Sequence, residues 1–218
     1  MHIGATTIAL YDTLSAEATR FVLNQTELIT MTCSFEYVQK LSQMKLDEHN
    51  LPEDQRKLRR LVNIVSFEVV TDRKVLDLAE NAGIKVYSYD EILKVGRNNT
   101  LNVEEPTEDT VFMLSYTSGT TGDPKGVKLS HKMLVNAVTA ANIRNGSDPF
   151  TEKDSYISYL PAAHSFEQCL FGTSIVFGMK CGFFGGNVLE MVSHDIPALK
   201  PTFFPSVPRL YNRIYGKI

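Results

Sequence analysis

Apolar residues recur along this chain in two alternating rhythms. Short β-prone runs at Thr6–Leu10, Leu28–Cys33, within Leu61–Val70, and at Ile84–Tyr87 and Val111–Leu114 predict buried strands. Between them, apolar positions fall at helical spacing. Leu14, Ala18, Phe21 and Val22 follow a capping Ser15. A second helix runs from Phe35 to about Leu46, and a third from Thr71 to Ala82, stopped by Gly83. Ser88-Tyr89-Asp90-Glu91 opens a fourth, short helix, while the polar stretch Asp47–Arg56, which holds Pro52, predicts a loop or insertion. Strands that alternate with helices predict an α/β fold of parallel sheets with flanking helices.

Arg97–Asp109 is polar, contains Pro106 and reads as a linker. It divides the chain into a first α/β subdomain over about residues 1–105 and a second over about residues 106–218. In the second, Gly126–Leu129 predicts a short strand, and Ser130 or His131 caps a helix to about Arg144 with Met133, Leu134, Ala137 and Val138 as its apolar stripe. After a turn-rich break at Asn145–Asp154 come a strand at Tyr156–Leu160, a helix at Phe166–Met179 and a strand at Cys181–Phe184. The helix is apolar on most sides and is expected to be buried. A helix at Val188–Leu199 with Pro197 near its end, a strand at Thr202–Val207 and a helix at Arg209–Ile218 complete the pattern.

Charge narrows the functional classes. The formal net charge is −3, and the short basic cluster Lys57, Arg59, Arg60 follows Glu53 and Asp54, so there is no basic stripe for nucleic acid. Cys33, Cys169 and Cys181 are odd in number, widely spaced and set among apolar residues, which reads as reduced core thiols in a cytosolic setting. No metal-ligand spacing is present. No signal-peptide pattern opens the chain, and no apolar run reaches the ~18 residues that suggest a membrane span.

The most specific chemistry lies directly after the Val111–Leu114 run. Tyr116-Thr117-Ser118-Gly119-Thr120-Thr121-Gly122-Asp123-Pro124-Lys125-Gly126-Val127 packs three glycines, four aliphatic hydroxyls and one lysine into a few positions. Glycine lets a backbone approach an anion, N–H and hydroxyl groups donate to it, and lysine adds charge. Each hydrogen bond to a charged phosphate contributes about 1.5–3 kcal/mol. The order of residues is neither a Walker loop nor G-x-G-x-x-G. A plain Gly/Ser/Thr-rich turn is the alternative for the composition, although not for the ordered Thr-Ser-Gly-Thr-Thr-Gly-x-Pro-Lys-Gly.

That ordered stretch resembles the phosphate-binding motif of the adenylate-forming enzymes. Further segments are similar to the long-chain fatty acyl-CoA synthetases within that superfamily: Leu10-Tyr11-Asp12-Thr13-Leu14 with Glu17-Ala18, Leu160-Pro161-Ala162-Ala163-His164-Ser165-Phe166-Glu167, Gly182-Phe183-Phe184-Gly185-Gly186, and Lys200 to Leu210. Departures are small: Ala162 stands where that family usually has leucine and Gln168 where it often has arginine. On its own, His164 is a lone histidine at a strand end, a place where structural histidines are common. The resemblance instead makes it the active-site histidine beside the carboxylate being activated. The remaining histidines read as structural.

The resemblance implies part of the large N-terminal domain of the adenylate-forming fold, without its C-terminal lid domain. It implies a ligase in which a long-chain fatty acid attacks ATP to give an acyl-adenylate and pyrophosphate, after which coenzyme A takes the acyl group and AMP leaves. Thr117, Ser118, Gly119, Thr120, Thr121, Gly122 and Lys125 would hold the phosphates, and Mg²⁺ would find its ligands mostly outside this chain. The family's adenine, ribose and lid segments do not appear in this sequence, so it is expected to be a central piece that is inactive alone. The implied setting is cytoplasmic, with the cytosolic face of the endoplasmic reticulum or another intracellular membrane as an alternative reached through regions outside the chain. A ligase for another carboxylic acid, and a short non-catalytic nucleotide-binding or interaction protein, stand as alternatives.

Overall fold

The computed structural model describes residues 4–99, 101–117, 123–144, 146 and 148–216. Its elements, in chain order, are β1 (Thr7–Ala9), α1 (Ala16–Gln25), β2 (Thr30–Cys33), α2 (Phe35–Leu46), β3 (Asn63–Ser66), α3 (Arg73–Asn81), β4 (Lys85–Ser88), α4 (Tyr89–Asn98), β5 (Val111–Thr117), β6 (Lys125–Ser130), α5 (His131–Arg144), β7 (Ser155–Ser158), α6 (Ser165–Phe177), β8 (Lys180–Phe183), α7 (Val188–Glu190), α8 (Ile196–Leu199) and α9 (Pro208–Tyr215).

The strands form three sheets. Parallel β2, β3 and β4 stand in that order, each pair joined through a helical crossover. Their side chains meet those of α2 and α3 in the largest apolar cluster, where Val38, Leu41, Leu61, Ile64, Val75 and Ala79 are all buried. Local signals start and stop α1 and α3, although α3, expected from Thr71 to Ala82, runs from Arg73 to Asn81 behind Asp72. Ser15 Oγ accepts from the Ala18 N–H at 3.1 Å and Asp72 Oδ1 from the Lys74 N–H at 2.9 Å. Gly83, at φ +66°, takes the left-handed turn after α3, a conformation that glycine adopts without strain.

A second sheet has the order β1-β5-β6, with β1 parallel and β6 antiparallel to β5. β1 thus belongs with strands that follow the 101–110 connection, pairing Thr7 with Met113. The third sheet pairs β7 with β8 in parallel. Two smaller apolar clusters lie beside it, one around Phe150, Tyr156 and Leu170, the other around Ile157, Met191 and Leu210. No described helix is long and apolar enough to cross a membrane.

Several expectations needed correction. The 47–56 stretch contains two short 3₁₀ turns, Asp47–Asn50 and Glu53–Gln55. α4 runs on to Asn98, so the linker begins later than Arg97. The helix expected over Val188–Leu199 is broken by a π-helical turn at Met191–Asp195, where Ile196 N–H donates to the Met191 carbonyl. Pro197 explains the widening: it has no N–H to return to the Ser193 carbonyl and its ring crowds that oxygen.

Thr202–Val207 is not a strand: it makes a single β-bridge to β7, Tyr156 to Phe203, beside the bonds between Thr202 and Ser155, where the Ser155 N–H donates to Thr202 Oγ1 at 3.0 Å. Pro205 supplies no donor and Pro208 restricts Val207, so pairing stops after one residue. In α5, Met133 is 56% exposed, and the inward stripe is Leu134, Ala137, Val138 and Ala141, the i, i+3, i+4, i+7 set. α6 is not buried all round: Phe166, Phe171, Ile175 and Val176 are exposed, and nothing among the described residues covers them.

Candidate functional site

The hairpin of β5 and β6 holds both ends of the stretch singled out in the sequence for phosphate. Thr117 and Lys125 are cross-strand partners, and Thr117 Oγ1 donates to the Lys125 carbonyl at 3.5 Å. Ser118, Gly119, Thr120, Thr121 and Gly122 lie outside the described residues. What is described is the frame around them. β5 is buried along most of its length and paired on both sides, by β1 and β6, so it gives the loop a rigid base.

Side chains alternate across a strand, so β5 serves two faces. On one face, Leu114 and Tyr116 stand opposite Lys128 and Gly126. Tyr116 is 4% exposed and its hydroxyl donates to Gln25 Oε1 of α1 at 2.6 Å. Burial raises the pKa of this phenol, so it remains a hydrogen-bond donor at neutral pH. An open cavity of about 680 Å³ lies beside this face and the end of the hairpin, lined by Phe21, Gln25, Tyr116, Asp123, Lys125 and Lys128 among others. Neither Lys125 nor Lys128 pairs with a carboxylate among the described residues.

The other face carries Ser115 and Thr117. Ser115 Oγ donates to the Ala163 carbonyl at 3.4 Å, which fastens the Pro161–Ala163 segment to β5. The next residue is His164. It caps α6: its Nδ1 accepts from the Phe166 N–H at 3.1 Å, and its own N–H donates to the Pro161 carbonyl at 2.8 Å. An Nδ1 that accepts carries no proton, so in the neutral ring the hydrogen sits on Nε2. Ser115 and Thr117 share a face, so the segment ending in His164 is tied to the same side of β5 from which Thr117 projects at the root of the loop.

Behind His164, Glu167 is 3% exposed. Its Oε1 accepts from Ser158 Oγ at 2.5 Å and from the Tyr156 hydroxyl at 3.4 Å, while Oε2 has no partner among the described residues. Burial is the main reason its pKa is raised, offset in part by those hydroxyls and by His164. Tyr156 is pushed up as well, first by burial and then by Cys181 and Glu167. Two groups that ordinarily differ in charge at neutral pH are therefore both biased towards their protonated forms.

Sequence reasoning singled out Thr117, Lys125 and His164 among the described positions. Thr117 and Lys125 meet across the hairpin; His164 reaches the same strand only through the Ser115–Ala163 bond. No role was foreseen for Ser115, Tyr116 or Glu167. The one available signal for Glu167 was its spacing from His164, which equals that of Glu91 from Ser88. Of the cysteines expected in the core, Cys33 is buried, while Cys169 and Cys181 are only half-buried; all three are free thiols.

The described frame brings Lys125, Lys128 and Asp123 to one cavity, and the glycines and hydroxyls that suit phosphate are those the sequence places between Thr117 and Lys125. Comparison with known proteins shows the family. The family model described as "AMP-binding enzyme" matches residues 1–217. Long chain acyl-CoA synthetase 6, peroxisomal, of Arabidopsis thaliana is 36% identical over 211 residues, covering 97% of this chain and 28% of that protein. Long-chain-fatty-acid–CoA ligase 5 of Rattus norvegicus is 35% identical over 213 residues, covering 97% of this chain and 30% of that protein. The chain thus spans about three-tenths of the length of these curated relatives.

Among solved structures, the adenylation domain of a carboxylate reductase from Mycobacterium chelonae matches with a TM-score of 0.76 at 19% identity, covering 99% of this chain and 33% of that one. An o-succinylbenzoate CoA synthetase from Bacillus subtilis, in complex with its acyl-adenylate intermediate, matches with a TM-score of 0.66 at 18% identity, covering 100% of this chain and 46% of that one. These two likenesses show the fold: the α/β arrangement is that of the N-terminal domain of adenylate-forming enzymes.

Proposed function

We propose that this chain, which belongs to the AMP-binding enzyme family, forms the phosphate-gripping and carboxylate-facing part of a ligase acting on long-chain fatty acids. In this reading a fatty acid carboxylate attacks the α-phosphate of ATP, the bond to pyrophosphate breaks, and the acyl-adenylate then passes its acyl group to the thiol of coenzyme A with release of AMP. The nucleophiles belong to the substrates, so the protein binds, orients and neutralises charge. Mg²⁺, when bound, supplies further charge neutralisation at the phosphates.

The observation that supports the reading most is the Ser115–Ala163 bond. It ties the segment carrying His164 to the face of β5 from which Thr117 enters the loop. A carboxylate beside His164 Nε2–H and a phosphate chain in the loop at 118–122 would then be served by adjacent turns of chain. Lys125, with Thr117, Ser118, Gly119, Thr120, Thr121 and Gly122, would hold the β- and γ-phosphates. The names of the relatives support the choice of a long-chain fatty acid over another carboxylic acid.

The reading is tested in the complete protein by fatty-acid-dependent ATP–pyrophosphate exchange. Lys125→Ala is expected to weaken ATP binding and slow adenylation together. An unchanged ATP affinity and unchanged rate would remove the lysine from the proposed role. The 218-residue chain alone is expected to show no robust exchange.

A further inference from the structure

The spacing His164-Ser165-Phe166-Glu167 sets a histidine at a helix N-cap and a glutamate at the third helical residue. The same spacing, Ser88-Tyr89-Asp90-Glu91, opens α4. There the glutamate closes a capping box: Glu91 Oε2 accepts from the Ser88 N–H at 2.7 Å, and Ser88 Oγ from the Glu91 N–H at 3.3 Å. At α6 the glutamate leaves that position. The His164 N–H goes to Pro161, and Glu167 turns inward to the hydroxyls of Tyr156 and Ser158 on β7, with Oε2 unmatched among the described residues.

Burying a carboxyl with one oxygen unmatched is unfavourable, and helix initiation does not require it, because the exposed capping box is a local alternative. What the inward position achieves is a tie between the first turn of α6 and β7, one turn below His164. The ionisable groups facing the carboxyl are Tyr156 on β7, His164 at the N-cap and, through Tyr156, Cys181 on β8. No lysine or arginine pairs with it among the described residues. A pure ion-pair role is therefore absent, and the contacts are those of a strut.

We propose that Glu167 is a positioning residue for His164: it pins the first turn of α6 to β7, so that His164 Nδ1 stays committed to the Phe166 N–H and Nε2–H is the group presented to the acyl carboxylate. This rests on the reading of His164 as the neighbour of that carboxylate. The residue touches no substrate in this scheme. It acts by holding a tautomer and a direction, and a misplacement of about 1 Å at a reacting group is enough to lower a rate by on the order of 100-fold.

The test uses the complete protein and two readouts. Nitrogen–proton correlation spectra of the imidazole report the tautomer, and fatty-acid-dependent ATP–pyrophosphate exchange reports the rate. Wild type is expected to show His164 as the Nε2–H tautomer. Glu167→Ala is expected to mix the tautomers and to lower kcat by on the order of tenfold with the KM for ATP unchanged, whereas Glu167→Gln, which keeps Oε1 and the side-chain shape, restores both.

A folded Glu167→Ala protein with the wild-type spectrum and rate overturns the proposal. Should that variant fail to fold, Ser158→Ala removes the shorter bond and is read the same way: an altered tautomer supports the proposal and an unaltered one overturns it. If the wild-type protein shows no fatty-acid-dependent exchange while the tautomer still responds to Glu167, the assigned activity fails and the positioning stands.

Discussion

The ring of Tyr116 occupies the space that a side chain on Gly126 would need. The two are cross-strand partners, and a Cβ built on Gly126 would lie 2.9 Å from Tyr116 Cζ. The ring cannot swing clear cheaply, because its hydroxyl is held by Gln25 on α1. Gly126→Ala is therefore expected to destabilise by about 1–3 kcal/mol through overpacking, read as a lowered midpoint in chemical unfolding. The smaller ring site in a Gly126→Ala/Tyr116→Leu double variant should recover part of the loss; strict additivity of the two changes would refute the steric account.

Lys45 gives a second prediction. Although charged, it is only 8% exposed, and its ammonium donates to the Leu61 carbonyl at 2.6 Å and the Gly83 carbonyl at 3.3 Å. It thereby joins the end of α2 to the turns that precede β3 and β4. Burial lowers its pKa, with Glu48 opposing. Lys45→Met keeps the stem but leaves both carbonyls without this donor, which should cost about 1–3 kcal/mol. Equilibrium denaturation with an unchanged midpoint would mean that the two bonds contribute nothing net.

The buried Glu167 predicts a pH dependence with a definite sign. Its folded pKa is raised above the ordinary 4.5. Between the two values the unfolded chain has released the proton and the folded one has kept it, so stability falls as pH rises through this window. Glu167→Gln removes the titration. Relative to wild type, the glutamine variant should become progressively more stable from about pH 4 upward and level off above the folded pKa. A stability difference that stays flat from about pH 4 to pH 8 would contradict the raised pKa.

The capping box at α4 is a control for that argument. Its glutamate has a lowered pKa, because the Ser88 backbone N–H and then the Ser88 hydroxyl favour its charged form. Ser88→Ala should cost about 0.5–2 kcal/mol, seen as a loss of thermal midpoint. Equal stability of Ser88→Ala and wild type would show that α4 is held by other contacts.

Much of the fold was legible because its rhythms are regular. Around β2, β3 and β4 the strands are short β-prone runs, and Ser15, Ser88 and Gly83 mark helix ends as single letters, whereas α2 has no side-chain cap and α3 starts at Asp72 rather than Thr71. What failed was burial and pairing that depend on distant residues. Phe203 and Phe204 look like strand residues, but Pro205 ends the pairing after one bridge. The composition of α6 suggested burial on all sides, yet apolar content cannot say whether a covering layer exists, and Ile175 is 67% exposed.

The candidate site was legible as a list of letters and not as a geometry. Thr117 and Lys125 stand out by composition, whereas Ser115 reaches the His164 segment only through a contact across 48 positions. Glu167 was hidden because a buried carboxyl and an exposed capping glutamate have the same spacing.

The pairing of β1 with β5 brings Thr7 to Met113, while β2, β3 and β4 draw on the unbroken stretch from Thr30 to Ser88. The order of assembly follows from these separations. A contiguous unit closes short loops and gains its apolar cluster early, whereas β1 must wait for a closure across more than a hundred positions, whose entropic cost grows slowly but is met by only three paired residues. Pulsed hydrogen exchange during refolding should protect Ile64 and Val65 before Ile8. The hairpin that frames the 118–122 stretch would then gain β1, its last neighbouring strand, only at the end of refolding.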